Sequence, residues 1–508
     1  MVLDTASTGT NICTLFMSNG SSGWAYSLTS NPGNQFQISG ASLQVAGALT
    51  DGVYAVGVQA VRGATVITGS MMVAVTPTDF PVPVSTKTTL AQFHTMADVQ
   101  SQSFGAGADT AMSDSPYGST AILVTMNGGT NYYTSKTILG TGLDARNGTI
   151  RFTFKPFNVN LTSFEIRLFS AGTPSSPSAN YHSQGGISGI TSHFTRTLGV
   201  NNGVFESIGY PVNQFKPTGT GADLTALKYA ALYGRGSAGG MFCVGDIDFY
   251  PNLRTKAAVI PTFDDAWASA YTIARPLMQA ALGGACPIMI IPGAVADPVN
   301  GVGGSATGGS GKITWAQIDE IWAAGGQLGA GMYSTEDVNI VNAMTAAQRT
   351  LEFQKVRALA LQHGHFRDTA DFGYQSGIAY SNLATLPQIK STFRSAMNGL
   401  AGINANPPFA PSELLPFGDQ WSVQRLQHGL TGGTGSQVWT IVQYALDIAV
   451  ANKGVFFLDH HDDLYTNPDV YNSYVNLINY VTVLRPDVIE FKTMRSLQAP
   501  SNGDDMTK

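Results

Sequence analysis

The chain has 508 residues, which is enough for about three domains of ordinary size. Only 12% of the residues are charged, roughly half of what a typical soluble domain carries, and the formal net charge is −6. Because there is no run of Lys and Arg and no uninterrupted apolar run of about 18 residues, we expect no nucleic-acid partner and no membrane insertion.

The N-terminus and the cysteines predict neither targeting nor disulfide chemistry. Met1–Ser7 has no positive flank and no apolar core, so we expect no signal peptide. Cys13, Cys243 and Cys286 are odd in number and far apart, which predicts neither a disulfide framework nor a cysteine metal motif. The chain contains 57 glycines and is also rich in Ser, Thr and Asn, a composition that we find typical of modular surface proteins.

Residues 1–84 are predicted to form a small antiparallel β-sandwich. Short alternating runs such as Ala25–Leu28 and Val53–Val61 are separated by turn signals, among them Asn31–Gly33. The segment resembles the cadherin-like or immunoglobulin-like repeats of many bacterial and phage surface proteins. Pro81–Ser85 then has the composition of a stiff linker.

Residues 86–252 are predicted to form a second β-sandwich, of jelly-roll type. Apolar and polar side chains alternate along Thr149–Lys155 and again along Phe164–Leu168. Modules of this type often bind sugars by stacking them on exposed aromatic rings. The tyrosines available for such stacking are Tyr132, Tyr133, Tyr181 and Tyr210. The alternative is a spacer or a trimer-forming module.

Residues 253–497 change to a pattern of alternating strands and helices. The apolar strands Lys256–Asp264 and Cys286–Pro292 are separated by a helical segment, Trp267–Leu282. Such alternation, continued over about 240 residues, predicts a parallel sheet within an α/β barrel. The active site of such a fold lies at the carboxyl ends of the strands. Residues 498–508 are predicted to be a flexible tail.

Two adjacent carboxylates, Asp264 and Asp265, end the first of these strands. Carboxylates at the mouth of an apolar strand are costly unless they bind a metal, a proton or a cation. Adjacent residues point in different directions, so one carboxylate can hold a metal while the other acts as a base on water. The alternative is structural, with Asp265 as the N-cap of the helix Trp267–Leu282.

The strand 257–265 resembles the first motif, T-F-D-D-G, of the polysaccharide deacetylase family of carbohydrate esterases, with Ala266 in place of the glycine. The resemblance extends over about residues 256–497. It implies a distorted β/α barrel that removes acetyl groups from a glycan by hydrolysis. It also implies that Asp264 is the general base and that Asp265 is a ligand of a divalent metal, usually zinc.

The second family motif, whose two histidines complete the metal site, is degenerate in this chain. Gly331 and Thr335 occupy the positions of the histidines, and neither is a good zinc ligand through its side chain. Glu336 or Asp337 can join Asp265 in an oxygen-rich site for Mg²⁺, Mn²⁺ or Ca²⁺, which these residues suit better than Zn²⁺. The alternative is that both acidic residues cap a helix or face solvent.

The last family motif is better preserved. The apolar strand Val455–Leu458 leads into a stretch of two histidines and three aspartates. The family has a general-acid histidine at this strand end, which implies that role for His460 or His461. The alternative is an ordinary polar loop. His363 and His365 follow a long helix, and we expect them to be structural.

The resemblance also implies residues that contact the glycan. The third family motif corresponds to Asp371–Gly377, which keeps the glycine of the motif and contains Tyr374. Tyr333 lies within the degenerate second motif and is another candidate. Asp419, Trp421 and Arg425 lie where the family places residues that orient the catalytic carboxylate and line the sugar cleft.

Three hypotheses for function follow. The protein is a hydrolase that deacetylates a bacterial surface glycan, a glycan- or receptor-binding protein that keeps the cleft without turnover, or a structural fibre protein. The modular β-domains and the low charge fit a phage tail protein or another surface protein, so we expect a location in a virion or on an extracellular surface. The expected partners are a bacterial surface polysaccharide, other virion proteins and further copies of the chain in a homotrimer.

Overall fold

The computed structural model describes most of the chain, and every structural statement below refers to this part. It describes residues 2–3, 6–17, 23–50, 52–76, 86–103, 105–113, 115–158, 161–184, 205–236, 238–293, 311–334, 338–365, 368–374, 385–400, 412–413, 423–428 and 436–498.

Two facing sheets form the N-terminal part of the chain. Their strands are Val2–Leu3, Ala25–Ser30, Gly52–Arg62 and Thr65–Thr76 in one sheet, and Asn11–Thr14, Phe36–Ser39 and Ser42–Val45 in the other, with a 3-10 turn at Pro32–Asn34. Apolar side chains from both sheets are buried between them, namely Phe36, Leu43, Val45, Val56, Val73 and Val75. This is the β-sandwich that the alternating runs predict.

Two six-stranded sheets form the middle of the chain. The first contains Thr88–Ala91, Gly107–Ala111, Thr120–Thr125, Gly148–Asn158, Glu206–Pro211 and Met241–Pro251. The second contains Val99–Gln102, Gly129–Ser135, Leu161–Phe169, Tyr181–Gln184, Phe215–Thr218 and Tyr229–Gly236. Shorter elements are the paired strands Gly172–Thr173 and Ser176–Pro177 and the 3-10 turns Met96–Asp98 and Val212–Gln214. The segment is therefore all-β, as predicted.

The period-two pattern of this segment is mostly reproduced in its burial. Ile150, Phe152 and Phe154 are buried in the core between the two sheets. Lys155 departs from the pattern because its side chain is buried as well, with the ammonium group 5.2 Å from the centre of the Phe157 ring. The apolar stem of the lysine can be buried there while its charge lies against an aromatic face.

The four tyrosines considered for sugar stacking divide into two pairs. Tyr133 and Tyr210 belong to the core between the sheets, so neither ring is available to a ligand. Tyr132 and Tyr181 are half-buried on the other face of the second sheet. The alternation of side chains along a strand explains why the adjacent residues Tyr132 and Tyr133 have opposite positions.

A nine-stranded sheet organises the C-terminal half. Seven strands follow one another in space in the order Gln327–Leu328, Met289–Ile291, Ala257–Asp264, Val455–His460, Val423–Gln427, Ser395–Leu400 and Asp371–Gly373, while Ser412–Glu413 pairs with Val455–His460 and Ile489–Phe491 pairs with Ala257–Asp264. All of these pairings are parallel except that of Ser412–Glu413. Ala330 joins the two ends of the seven-stranded path, since its N–H donates to the Asp371 carbonyl (2.8 Å) and its carbonyl accepts from the N–H of Gly373 (2.8 Å).

Helices alternate with these strands, as the sequence predicts. They are Arg275–Ala281, Trp315–Ala323, Val338–Ala343, Ala346–Gln362, Leu386–Lys390, Ser436–Asn452, Asp463–Thr466, Pro468–Asn479 and Met494–Gln498, with π-helical segments at Ala270–Ala274 and Tyr480–Leu484 and a 3-10 turn at Asp368–Ala370. Within the described residues, none of these helices has the length and apolar character needed to cross a bilayer.

Alternation along each parallel strand separates two apolar cores. In Ala257–Asp264, Val259 and Phe263 face the helices, while Ala258 and Ile260 pack in a smaller cluster on the other face of the sheet. Thr262 and Asp264 lie two and four residues after Ile260, so their side chains point to the same face as those of Ala258 and Ile260. The polar carboxyl ends of the strands on this inner face therefore form the place in which to look for a site.

Candidate functional site

Four buried polar side chains meet at the carboxyl ends of three adjacent parallel strands. Thr262 and Asp264 come from one strand, Asp459 from the second and Arg425 from the third. Each is at most 4% exposed. Polar groups are buried to this degree only when they satisfy one another, so their contacts determine what the site can do.

Arg425 is the centre of this group. Its Nη1 and Nη2 donate to the two carboxylate oxygens of Asp264 at 2.6 and 3.0 Å. Nη1 also lies 3.3 Å from Asp459 Oδ1, which accepts a 3.1 Å hydrogen bond from the Thr262 hydroxyl. The two-pronged contact fixes the orientation of the Asp264 carboxylate. Arg425 thus lies against Asp264, the first aspartate of the motif.

Three ionisable side chains share one buried space, so burial and neighbouring charges shift the pKa values of Asp459 and Arg425. Burial raises the pKa of Asp459 well above its ordinary value; Arg425 opposes this rise, and the neighbouring Asp264 adds to it. Burial alone would lower the pKa of Arg425, but Asp264 and Asp459 outweigh that effect and the pKa is raised. Asp264 and Arg425 thus form a buried ion pair beside Asp459, a carboxyl group whose ionised form is disfavoured by burial.

His461 is the most accessible side chain near this group. Its side chain is 36% exposed, and its Nε2 lies 4.0 Å from Asp265 Oδ2. One ring nitrogen of His461 and one carboxylate oxygen each of Asp264 and Asp459 lie within 4.8 Å of one another. A partly exposed imidazole beside a carboxylate of fixed orientation can act with it as a general acid–base pair.

Asp265 and Ala266 form a strained turn directly after the first strand. Their φ angles are +60° and +52°, in the left-handed region that non-glycine residues seldom adopt. The ammonium group of Lys312 donates to the Asp265 carbonyl at 2.8 Å and lies 3.5 Å from the centre of the Trp267 ring. Asp265 is not an N-cap, since the helical segment begins only at Ala270 and no side chain caps it.

His460 lies on the opposite face of the sheet from Asp264. It is fully buried among the side chains that face the helices, stacked on Phe263 and 3.3 Å from His428 Nδ1 through its own Nδ1. His428 also lies 2.8 Å from the Ser473 hydroxyl. The structure therefore brings His461, but not His460, together with Asp264.

The metal site implied by the resemblance does not fit these residues. A Cβ atom on Gly331, where the family has its first histidine, would lie 1.7 Å from the Pro292 carbonyl oxygen, so this backbone leaves no space for a side chain. Among the described residues, the group that could hold an ion is Asp264, Asp459 and His461, but both aspartates already accept from Arg425. A cation there would lie beside the guanidinium of Arg425, which repels it.

The other predicted site residues are distributed as follows. Tyr374 is buried in the core between sheet and helices, in edge contact with Phe372, and Tyr333 is half-buried with the Lys355 ammonium 5.1 Å from its ring centre. His365 is buried between Asp319 and Asp368, the structural position expected for it. Glu336, Asp337, Asp419 and Trp421 lie outside the described residues, as does Thr335 of the second motif.

Asp459 and Thr262 are parts of the site that the sequence analysis did not single out. The available signal is the strand pattern: Phe457 faces the inner cluster, so Asp459, two residues later, does too. The same counting places His460 with Leu458 on the helix side.

Comparison with family models and with curated proteins gives no match. Among solved structures, the chain is similar to a Mycobacterium smegmatis protein described as a polysaccharide deacetylase, at 13% identity over 48% of this chain and 89% of that chain, with a TM-score of 0.33. It is also similar to a family 11 carbohydrate-binding module of a Clostridium thermocellum cellulase (11% identity, 33% and 96% covered, TM-score 0.22) and to a family 30 carbohydrate-binding module (12% identity, 34% and 95% covered, TM-score 0.21). At these TM-scores the likenesses identify neither a family nor a function.

Proposed function

We propose that the protein recognises a bacterial surface polysaccharide and that its C-terminal half is a deacetylase-like α/β barrel. The observation that carries the proposal is the pairing of Arg425 with Asp264 at the carboxyl ends of adjacent parallel strands. The T-F-D-D motif, which ends at Asp265, suggested this fold, and the paired arginine is what its resemblance implies. The backbone contact of Ala330 with the last strand supports the closure of the sheet.

Recognition is the function that the geometry supports best. The charges of Asp264 and Arg425 match each other, which suits a neutral glycan better than a charged one, and the partly exposed His461 beside them presents an imidazole to sugar hydroxyl and acetamido groups. Hydrolysis of an acetyl group also needs strong stabilisation of an oxyanion. Gly331 leaves no room for the histidine that completes the family's zinc site, so these residues do not build that electrophile.

A second candidate function is acetyl hydrolysis by carboxylate and imidazole. It is favoured by the proximity of Asp264 and His461, whose polar atoms lie within 4.8 Å of each other. Asp264 would take a proton from the attacking water, and His461 would return a proton to the leaving sugar amine or alcohol. Without a metal, such a reaction would be slow.

Binding and acetate release measured on the same preparation separate the two functions. Purified protein is titrated with bacterial peptidoglycan and chitohexaose, and acetate release is followed with and without Zn²⁺, Mn²⁺ and Ca²⁺. We expect binding without acetate release and no stoichiometric metal by elemental analysis.

Two variants decide how the result is interpreted. Asp264→Asn changes the site, and Asp487→Asn changes an exposed carboxylate as the matched control. Acetate release that only Asp264→Asn abolishes would establish the hydrolase instead. If neither glycan binds, recognition of an N-acetylated surface glycan is refuted.

We also propose a virion or extracellular location, with other virion proteins as neighbours and a homotrimer as the assembly. The support is the composition and the succession of two β-domains before an α/β domain. Sedimentation velocity tests the assembly, because a trimer has three times the mass of the chain. A monomer at micromolar concentration would refute it.

A further inference from the structure

A row of aromatic and charged side chains crosses the outer face of the second sheet of the middle domain. The register places Tyr233 directly beside Tyr132 on one side and beside Glu165 on the other. Neighbouring strands are about 4.8 Å apart, so these three residues span about 10 Å across the sheet. Arg167 and Tyr181 extend the row toward the next strand. We call these five residues the tyrosine face.

The tyrosine face is held rigidly by its own contacts. The Arg167 guanidinium lies 3.7 Å from the ring centre of Tyr233 and 4.3 Å from that of Tyr181. It also donates to both carboxylate oxygens of Glu165, at 2.9 and 3.2 Å. Since these side chains are already ordered, a ligand would lose little affinity to the ordering of the protein.

A small apolar cluster supports the tyrosine face. Phe169, Tyr229 and Ala231 are buried there, with Tyr181 and Tyr233 packed against them. The rings of Phe169 and Tyr229 stack at 4.8 Å and 6°. Tyr181 and Tyr233 are only half-buried, so the face offers aromatic surface together with phenol hydroxyls. This mixture is unusual for a solvent-exposed sheet face, where single apolar residues among polar ones are normal.

The charge of the tyrosine face limits the class of ligand. Arg167 is paired with Glu165 by two hydrogen bonds, so the face carries no net charge and gives an anionic polymer no net attraction. Aromatic rings pack against the C–H faces of sugars, while phenol, guanidinium and carboxylate groups exchange hydrogen bonds with sugar hydroxyls. A row about 10 Å long favours an extended chain over a single sugar.

We propose that the tyrosine face binds a neutral, extended polysaccharide chain. It forms a second glycan site, separate from the Asp264–Arg425 group. The proposal rests on the proposed function only in the general class of ligand, a glycan, and it names residues that are independent of the C-terminal site.

Calorimetric titration with hydroxyethyl cellulose and with mixed-linkage β-glucan tests this site in the full chain. We expect both neutral polymers to bind and the acidic polymer polygalacturonate to bind more weakly. Tyr132→Ala and Tyr233→Ala should each weaken binding at least about tenfold, because each removes a stacking ring. Tyr444→Ala, which removes a 46% exposed tyrosine from the C-terminal half, is the matched control and should leave binding unchanged.

Further variants separate this site from the C-terminal one and from loss of folding. Tyr132→Phe keeps the ring, so it should retain most of the affinity, and circular dichroism checks that each variant is folded. Asp487→Asn, which changes an exposed carboxylate outside both sites, should not change the affinity for the two neutral polymers. If binding survives both alanine variants, or if neither neutral polymer binds while peptidoglycan does, the tyrosine face is refuted and the proposed function stands. Tighter binding of polygalacturonate also overturns the proposal.

Discussion

Arg425 has an unusual environment for a single residue. It is 1% exposed, and its guanidinium pairs with Asp264 and lies 3.3 Å from Asp459 inside the sheet. The free-energy cost of removing these charges from water is offset only while all of the partners are present. The burial of each of these three side chains therefore depends on the presence of the other two.

Replacing Arg425 by glutamine should destabilise the protein strongly. Asp264 would be left buried without its cation, a loss of about 3–5 kcal/mol in the free energy of unfolding. Urea denaturation followed by fluorescence measures this loss. Arg146→Gln is the control, because Arg146 forms an exposed pair with Asp144, and we expect no measurable change there. Equal effects of the two substitutions would contradict the proposed coupling.

Replacing Ala266 should instead increase the stability of the folded protein. Its φ of +52° costs an L-amino acid about 1 kcal/mol or more, whereas glycine adopts this conformation freely. Ala266→Gly, which restores the residue of the family motif, should stabilise the protein by about 0.5–1 kcal/mol. The reference is Ala268→Gly at a buried position outside the left-handed region, and it should destabilise. Parallel thermal melts compare the two, and a lower melting temperature for Ala266→Gly would show that strain at this turn is absent.

At the scale of elements, the strand Val455–His460 shows which parts of the site the sequence could predict. Its position, and the end of the strand Ala257–Asp264, followed from apolar periodicity. The pleat distinguishes Asp459 from His460, and counting by two from Phe457 would have assigned their faces. The close approach of Gly331 to Pro292 could not be predicted, because it joins two backbones that are distant in sequence and no local pattern encodes it.

The packing of strands against helices buries a histidine pair. His428 lies against His460 and Ser473, with Tyr474 and Asp463 nearby. Burial lowers the pKa of His428 well below its ordinary value, and the neighbouring His460 adds to this. The folded protein therefore holds His428 neutral, while the unfolded chain takes up a proton at about pH 6.5.

Stability should consequently fall as the pH drops below about 6.5. Between that value and the lower pKa of the folded state, the unfolded chain binds the extra proton, at about 1.4 kcal/mol per pH unit. Burial of Asp459 acts in the opposite sense, since its raised pKa penalises folding as the pH rises. Comparison with His428→Gln isolates the histidine: urea denaturation at pH 7.5, 6.5 and 5.5 should show a flatter dependence in the variant. Parallel curves would contradict this assignment.

On the scale of the whole molecule, the side chain of Asn252 connects the middle of the chain with its C-terminal half. The Asn252 side-chain amide donates to the carbonyls of Asn452 and Lys453 at 3.0 and 3.1 Å, where the helix Ser436–Asn452 ends. A cavity of about 180 Å³ lies at this contact, lined by Asn147 and Asn213 from the middle of the chain and by Asn452 and Lys453 from the C-terminal half. The contact is polar, which is typical of domain interfaces within a chain.

Substitution of Asn252 should loosen this connection in a graded way. Asn252→Ala removes the two hydrogen bonds and should cost about 1 kcal/mol. Asn252→Asp should cost more, because it brings a negative charge to the carboxyl end of a helix. Scanning calorimetry should show the transition of the C-terminal domain at a lower temperature in both variants, in that order. The reverse order would show that the carbonyls of Asn452 and Lys453 are not the partners.

Composition and periodicity were sufficient to predict two β-sandwiches followed by alternating strands and helices. They could not predict the tyrosine face, because Tyr233 and Arg167 come together only through strand register. Tyr132 and Tyr133 are adjacent in sequence, but Tyr133 is buried between the sheets and Tyr132 lies on the outer face. The reason is that successive side chains of a strand point to opposite faces of the sheet. Long-range pairing is the kind of information that a local pattern lacks.

The contact at Ala330 has a consequence for local opening. Two backbone hydrogen bonds of Ala330 join the first and last strands of the path, whereas Ala258–Phe263 pairs continuously with Val455–His460 in the middle. Breaking this short joint needs far less disruption than separating the central pair. In deuterium exchange, the amides of Ala330 and Gly373 should therefore exchange much faster than that of Ile260. The sheet would open first at the contact of Ala330 with the last strand, away from Arg425.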